Sequence, residues 1–115
     1  GLQFLDLSEN PLGSSGGCIV SRMLKSPKCR LRSLLLGQCG LQACFEDLCQ
    51  AICANMSLKA VDLSDNACGV EGSQHLGRIL ARSSGLRHLR ASGNNLQSQG
   101  ASVLLRCLAE ASAGG

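Results

Sequence analysis

The chain has 115 residues with a formal net charge of +3, and 44% of its residues are hydrophobic but only 2% aromatic. Its length fits one domain, and so modest a charge, with acids interspersed among the bases and no aromatics to stack on them, argues against a dedicated nucleic-acid binder. No run of about 18 apolar residues occurs, so no membrane span is expected, and no basic-apolar-small signal segment is read.

The first predicted element is a strand framed by Leu2, Leu5, Leu7, Asn10 and Leu12, whose period-two alternation buries one face. The Gly-rich stretch Gly13-Ser-Ser-Gly16-Gly17 follows. It lacks the Gly-Lys-Ser/Thr ending of a phosphate loop, so a turn is expected there. Gly16, Val20, Met23 and Leu24 then stand at helical spacing, and Ser26-Pro27 closes the helix. The second frame is Leu31, Leu34, Leu36, Cys39 and Leu41. Its helix has Phe45 in place of the glycine, then Cys49, Ile52 and Cys53, and ends near Asn55. The third is Leu58, Val61, Leu63, Asn66 and Cys68, with Gly72, Leu76, Ile79 and Leu80 in a helix ending near Ser84 and Gly85. The fourth is Leu86, Leu89, Ala91, Asn94 and Leu96, followed by Gly100, Leu104, Cys107 and Leu108.

The steps between Leu2, Leu31, Leu58 and Leu86 are 29, 27 and 28 residues. A strand of about six residues and a helix of about ten in each step predict a leucine-rich-repeat solenoid. This is an α/β horseshoe, with parallel strands about 4.8 Å apart on the concave side and helices on the convex side. The repeats 1–30, 31–57, 58–85 and 86–115 form a single array. Terminal repeats normally carry a polar outer face, so the chain is expected to be part of a longer array, and its uncapped ends leave self-association open. The Asn at the ninth frame position is predicted to bond backbone groups of its own and neighbouring coils. The thiol of Cys39 replaces it weakly and makes the second repeat the odd rung. Glycine at the helix start is expected to let backbone approach backbone, and Phe45 to push its helix outward or repack it.

The eight cysteines fall mostly on interior frame positions, which predicts reduced, structural thiols in a cytosolic or nuclear protein. Cys49 and Cys53 lie one helical turn apart, but no paired knuckles accompany them, and His75 belongs to a different coil. No metal is predicted. No Gly-x-Ser-x-Gly elbow or His-Glu-x-x-His is present, and carboxylates on an open sheet face have no pocket to shift their pKa values. No catalytic residue or cofactor is expected.

Adjacent strands set equivalent positions side by side. One concave column is Phe4, Ser33, Ala60 and His88, and the next is Asp6, Leu35, Asp62 and Arg90. Further along come Ser8, Gly37, Ser64 and Ser92, then Glu9, Gln38, Asp65 and Gly93. Asp6, Glu9, Asp62 and Asp65 form an acidic stripe suited to a basic protein segment, with Phe4 and Leu35 as apolar anchors. His88 and Arg90 complete the candidate site, Arg90 pairing laterally with Asp62. The basic cluster Arg22, Lys25, Lys28, Arg30 and Arg32 sits at a helix end and the loop after it, where cations complement the macrodipole.

The segment from Lys25 to Leu41 contains Pro27-x-Cys29-x-Leu31-x-x-Leu34-x-Leu36-x-x-Cys39-Gly40-Leu41. It resembles the ribonuclease-inhibitor-like leucine-rich-repeat family, closest to the repeat regions of ribonuclease inhibitor and of nucleotide-binding, leucine-rich-repeat receptors. That resemblance implies a non-enzymatic protein–protein interaction module in the cytoplasm. Such a module would be the ligand-sensing or autoinhibitory repeat region of an intracellular innate-immune receptor. The alternative is the repeat scaffold of a cytoskeletal or small-GTPase regulator, which uses the same coil.

Overall fold

A computed structural model describes residues 1–82 and 85–114. The elements run β1 (Phe4–Asp6), α1 (Gly13–Lys25), β2 (Ser33–Leu35), a 3-10 turn (Gln42–Cys44), α2 (Phe45–Ala54), β3 (Ala60–Asp62), α3 (Gly69–Arg82), β4 (His88–Arg90) and α4 (Gln97–Gly114). The four strands form one parallel sheet in chain order. Parallel neighbours need a crossover, and a helix supplies each one. This is the α/β solenoid the periodicity predicts.

The register matches the frames residue by residue. Leu5, Leu34, Val61 and Leu89 align across the sheet, as do Phe4, Ser33, Ala60 and His88. Leu34, Leu36, Val61 and Leu63 are fully buried, with Leu48, Ile52, Leu76 and Ile79 packed behind them from α2 and α3. Helix position 23 of the repeat was expected to be interior throughout. It is buried only at Leu24; Cys53 is half-buried, while Leu80 and Leu108 face outward.

Each strand has three residues, not six. At one side, Arg32 and Ser33 both donate to Gln3 O, so regular pairing begins only at Ser33. At the other, the eighth frame position takes positive φ in every coil: Glu9 63°, Gln38 54°, Asp65 57° and Gly93 68°. Coil-to-coil bonding nonetheless continues past the strands, as in Leu7 N–H to Leu35 O (2.9 Å) and Glu9 N–H to Gly37 O (2.8 Å).

The helices have 13, 10, 14 and 18 residues instead of a uniform ten. α1 and α3 end where expected or nearly so, at Lys25 before Ser26-Pro27 and at Arg82; Ser84, the predicted end of the third helix, lies outside the described residues. Gly13 to Gly17 belongs to the first turns of α1, not to a turn of its own. The reason is packing. A Cβ on Gly16 would stand 2.7 Å from Leu12 Cβ, and one on Gly100 3.1 Å from Leu96 Cβ. The glycine therefore admits the side chain four residues before it, and at Gly100 also the Ser73 hydroxyl and the Val70 backbone of the preceding coil, the close backbone approach expected there. Gly17 leaves the notch that Cys44 of the next coil fills.

Phe45 is buried at the glycine position and repacks its coil as anticipated. Its turn tightens to 3-10, with Cys44 N–H bonding Leu41 O at 3.1 Å, and α2 starts three residues later in the repeat than α1 or α3. The ring lies against Gly72 of α3.

The asparagine spine is present and directional. Asn94 Oδ1 accepts from Asn66 N–H at 2.8 Å and from Cys68 N–H at 3.4 Å. Asn66 Oδ1 accepts from Cys39 N–H at 2.9 Å and Leu41 N–H at 3.3 Å, while its amide donates to Leu36, Leu63 and Ser64 carbonyls. Cys39 is indeed the odd rung. Its thiol donates to Leu7 O at 3.1 Å, and its backbone carbonyl accepts from Leu12 N–H at 3.1 Å, where an amide oxygen would otherwise serve.

Candidate protein-binding face

The strand face is open, and its side chains are fixed by the register. Asp6, Leu35, Asp62 and Arg90 are aligned, with Asp6 and Arg90 exposed and Leu35 and Asp62 partly so. Phe4, 58% exposed, is a large apolar group standing in water. Asp6 Oδ1 accepts the Ser8 N–H at 3.0 Å, and Asp62 Oδ1 accepts the Ser64 N–H at 2.9 Å. These turns hold both carboxylates at the strand exit. Hydrogen bonds from the Ser8 backbone and then its hydroxyl draw the Asp6 carboxyl below its ordinary pKa, which keeps it charged. Asp65 leans over the next coil into space that a side chain on Gly93 would need. The lateral Asp62–Arg90 pair is not formed, and Asp62 Oδ1 accepts only the Ser64 N–H.

A second column escaped the sequence reading. Gln3, Arg32, Lys59 and Arg87 occupy frame position two, stacked by Arg32 N–H to Gln3 O (2.8 Å), Lys59 N–H to Arg32 O (2.8 Å) and Arg87 N–H to Lys59 O (2.9 Å). Arg32 and Arg87 are exposed and Lys59 is half-buried. A cleft of about 470 Å³ opens there between Gln3, Arg30, Arg32, Met56 and Lys59. The signal was a base directly after the first Leu of three successive frames: Leu31-Arg32, Leu58-Lys59 and Leu86-Arg87. Of the basic cluster singled out from sequence, Arg32 joins this column. Arg30 is tied to the Pro27 and Cys29 carbonyls, and Arg22 and Lys25 lie in the last turn of α1.

On the helix side, a groove of about 450 Å³ between α2 and α3 is lined by Glu46, Cys49, Cys53, His75, Arg78 and Arg82, among others. His75 thus shares a groove with Cys49 and Cys53, although its coil differs from theirs. Among the described residues, no three His, Cys, Asp or Glu side chains are grouped to hold a metal ion. Burial pushes the thiols of Cys39, Cys44 and Cys49 up, and the thiolate is the reactive form. Iodoacetamide on the folded protein is therefore expected to modify exposed Cys18 first and these three only after denaturation, as read by peptide mass spectrometry. Equal labelling of Cys49 and Cys18 would mean that the α2–α3 seam is open.

The stacked strands, the asparagine spine and the helix-backed core define a leucine-rich-repeat array of the ribonuclease-inhibitor-like kind. Family models described as leucine-rich repeat match residues 1–23 and 54–74. The chain is 42% identical over 87 residues to human NACHT, LRR and PYD domains-containing protein 3, covering 74% of this chain and 8% of that protein. It is 38% identical over 112 residues to mouse NACHT, LRR and PYD domains-containing protein 12, covering 96% of the chain and 9% of the relative. Mouse ribonuclease inhibitor is 30% identical over 136 residues, covering 92% of the chain and 30% of the inhibitor. The chain therefore spans under a tenth of the first two relatives. Among the described residues, no helix is long and apolar enough to cross a membrane. A repeat array of this family presents a protein-interaction module.

Proposed function

We propose that this array is a non-catalytic, ligand-sensing or autoinhibitory repeat region of an intracellular innate-immune receptor, working in the cytoplasm as one stretch of a longer solenoid. The likeness to proteins that carry NACHT, LRR and PYD domains supports the parent. Support for the binding face comes from one observation above the others: Asp6 and Asp62 are held in register on an open sheet, with Glu9 and Asp65 beyond them. Solenoids bind along such faces, and four carboxylates there suit a basic segment of a protein partner. Phe4 and Leu35 supply apolar contact, and His88 and Arg90 border the site.

Reversing charge with Asp62→Lys and Asp65→Lys is expected to abolish capture of cytosolic partners from lysate. The fold should survive, because the main loss is one hydrogen bond to Ser64, about 1 kcal/mol. Partners retained at wild-type levels by this variant would move binding off the strand face.

A further inference from the structure

Opposite charges are segregated to opposite rims of the array. Asp6, Glu9, Asp62 and Asp65 stand at or just beyond strand exits, and Glu46, Asp47 and Glu71 lie in the first turns of α2 and α3. The other rim, where helices lead back into strands, is acid-poor: residues 10–45, 48–61 and 72–109 contain no Asp or Glu. Glu110 in α4 is the exception to this division. Lys28, Arg30, Arg32 and Arg87 are exposed on that rim, and Lys59 is half-buried. The helix macrodipole accounts for Arg22, Lys25 and Arg82, which lie in last turns. It does not reach Arg32, Lys59 or Arg87, each five or more residues past the helix ends at Lys25, Ala54 and Arg82. Arg30, Arg32 and Lys59 converge on the cleft of about 470 Å³, and no carboxylate is among the residues lining it. Lys59 Nζ lies over Gly85, where an added Cβ would stand 3.4 Å from it, so its charge is turned along the rim toward the loop that carries Arg87. Met56, 85% exposed, flanks the same cleft.

We infer that this basic rim docks an acidic segment of a protein partner, with carboxylates against Arg30, Arg32, Lys59 and Arg87 and an apolar side chain on Met56. Guanidinium forks match carboxylates two bonds at a time, and three of these four cations are arginines. The acids of the opposite rim repel such a segment, so the molecule's own field steers it to this side. A nucleic-acid strand fits less well. It would use aromatic faces for its bases, and both aromatic residues lie elsewhere, Phe4 on the strand face and Phe45 in the core. A lipid surface would take a helix with a broad apolar face, whereas these cations stand on loops and strand entries. The rim is a second surface, opposite in charge to the acidic strand face, and either can fail without the other.

The probe is a short fluorescein-labelled peptide of glutamates around one leucine, with its glutamine counterpart as blank. Fluorescence anisotropy at low salt is expected to show the acidic peptide binding and the blank not, with affinity falling as salt is added. Joint Arg32→Glu and Arg87→Glu changes should weaken binding about tenfold, the sum of two exposed attractions turned to repulsions. Arg78→Glu with Arg106→Glu makes the same change in net charge at exposed helix positions away from the rim, and should cost less than about threefold. If the rim variant melts early, Arg32→Gln and Arg87→Gln take its place, with a smaller loss that the paired helix changes still do not match. Asp62→Lys with Asp65→Lys should not weaken the peptide, since those residues belong to the other surface. Equal losses from the rim and helix pairs, or no binding of the acidic peptide, overturns the inference. So does tighter, rim-dependent binding of a single-stranded oligonucleotide or of phosphatidylserine vesicles, which would give the rim to nucleic acid or lipid. Each of these results leaves the acidic strand face standing, because that reading fails only if lysate capture ignores the Asp62 and Asp65 changes.

Discussion

Truncating Leu63 to alanine is expected to cost about 2–5 kcal/mol and to unfold most of the protein near physiological temperature. Leu63 is fully buried. Its N–H donates to Arg90 O at 2.7 Å, and its carbonyl accepts the Asn66 and Asn94 amides at 3.0 Å each. Those bonds pin the backbone, so the chain cannot sink into the vacated volume. The equivalent residue of the next coil, Ala91, offers only its one methyl and has no longer side chain to swing into the gap. The residual cavity is consequently large, which places the cost toward the upper part of the range. Thermal melting followed by circular dichroism measures it, with Leu63→Met as a volume-conserving control expected to lose less than about 1.5 kcal/mol. An unchanged midpoint for the alanine variant would mean that the strand frame points the wrong way.

Asn66→Ala is the second large effect, and it acts through polar groups rather than volume. Asn66 is 1% exposed and serves five backbone groups on two coils. Alanine strips the Cys39 and Leu41 N–H groups of their acceptor, at about 1–3 kcal/mol each, for a total of roughly 2–6 kcal/mol. Asn66→Cys should fall between alanine and wild type. A thiol there keeps a donor, as Cys39 keeps one toward Leu7 O, but supplies no amide oxygen. Urea unfolding should show the midpoint drop in the order wild type, Cys, Ala at constant slope. A loss below about 1 kcal/mol for alanine would show that a backbone carbonyl takes over, as the Cys39 carbonyl does for Leu12 N–H.

The frames and their register were legible because one apolar period specifies both the buried face and the side-by-side columns. Strand length was not. The chain turns at Glu9, Gln38 and Asp65 through positive φ, and of these Asp65 alone is of a type that favours such a turn. Gly16 and Gly17 misled in the opposite sense: glycines that usually mark a loop are helical here, because side chains of their own and the neighbouring coil need the room, while Gly13 keeps a turn's positive φ of 61° where the helix begins. The acidic stripe followed from strand alternation. Arg32, Lys59 and Arg87 did not, because they precede the strands and belong to no alternating pattern. The meeting of His75 with Cys49 and Cys53 depends on how α2 and α3 rotate against each other.

The direction of the asparagine spine also decides where the molecule gives way. Each amide ties down the coil before it, so the third coil hangs on Asn94 and the second on Asn66. The first hangs on a thiol and a shared carbonyl at Cys39. The seam between the first and second coils therefore has the weakest side-chain tie of the three, and local opening there needs less free energy than at the seams an asparagine holds. A ligand seated across the strands would thus span that seam, with Asp62 and Asp65 on coils that asparagines join and Asp6 and Glu9 on the coil held by the Cys39 thiol.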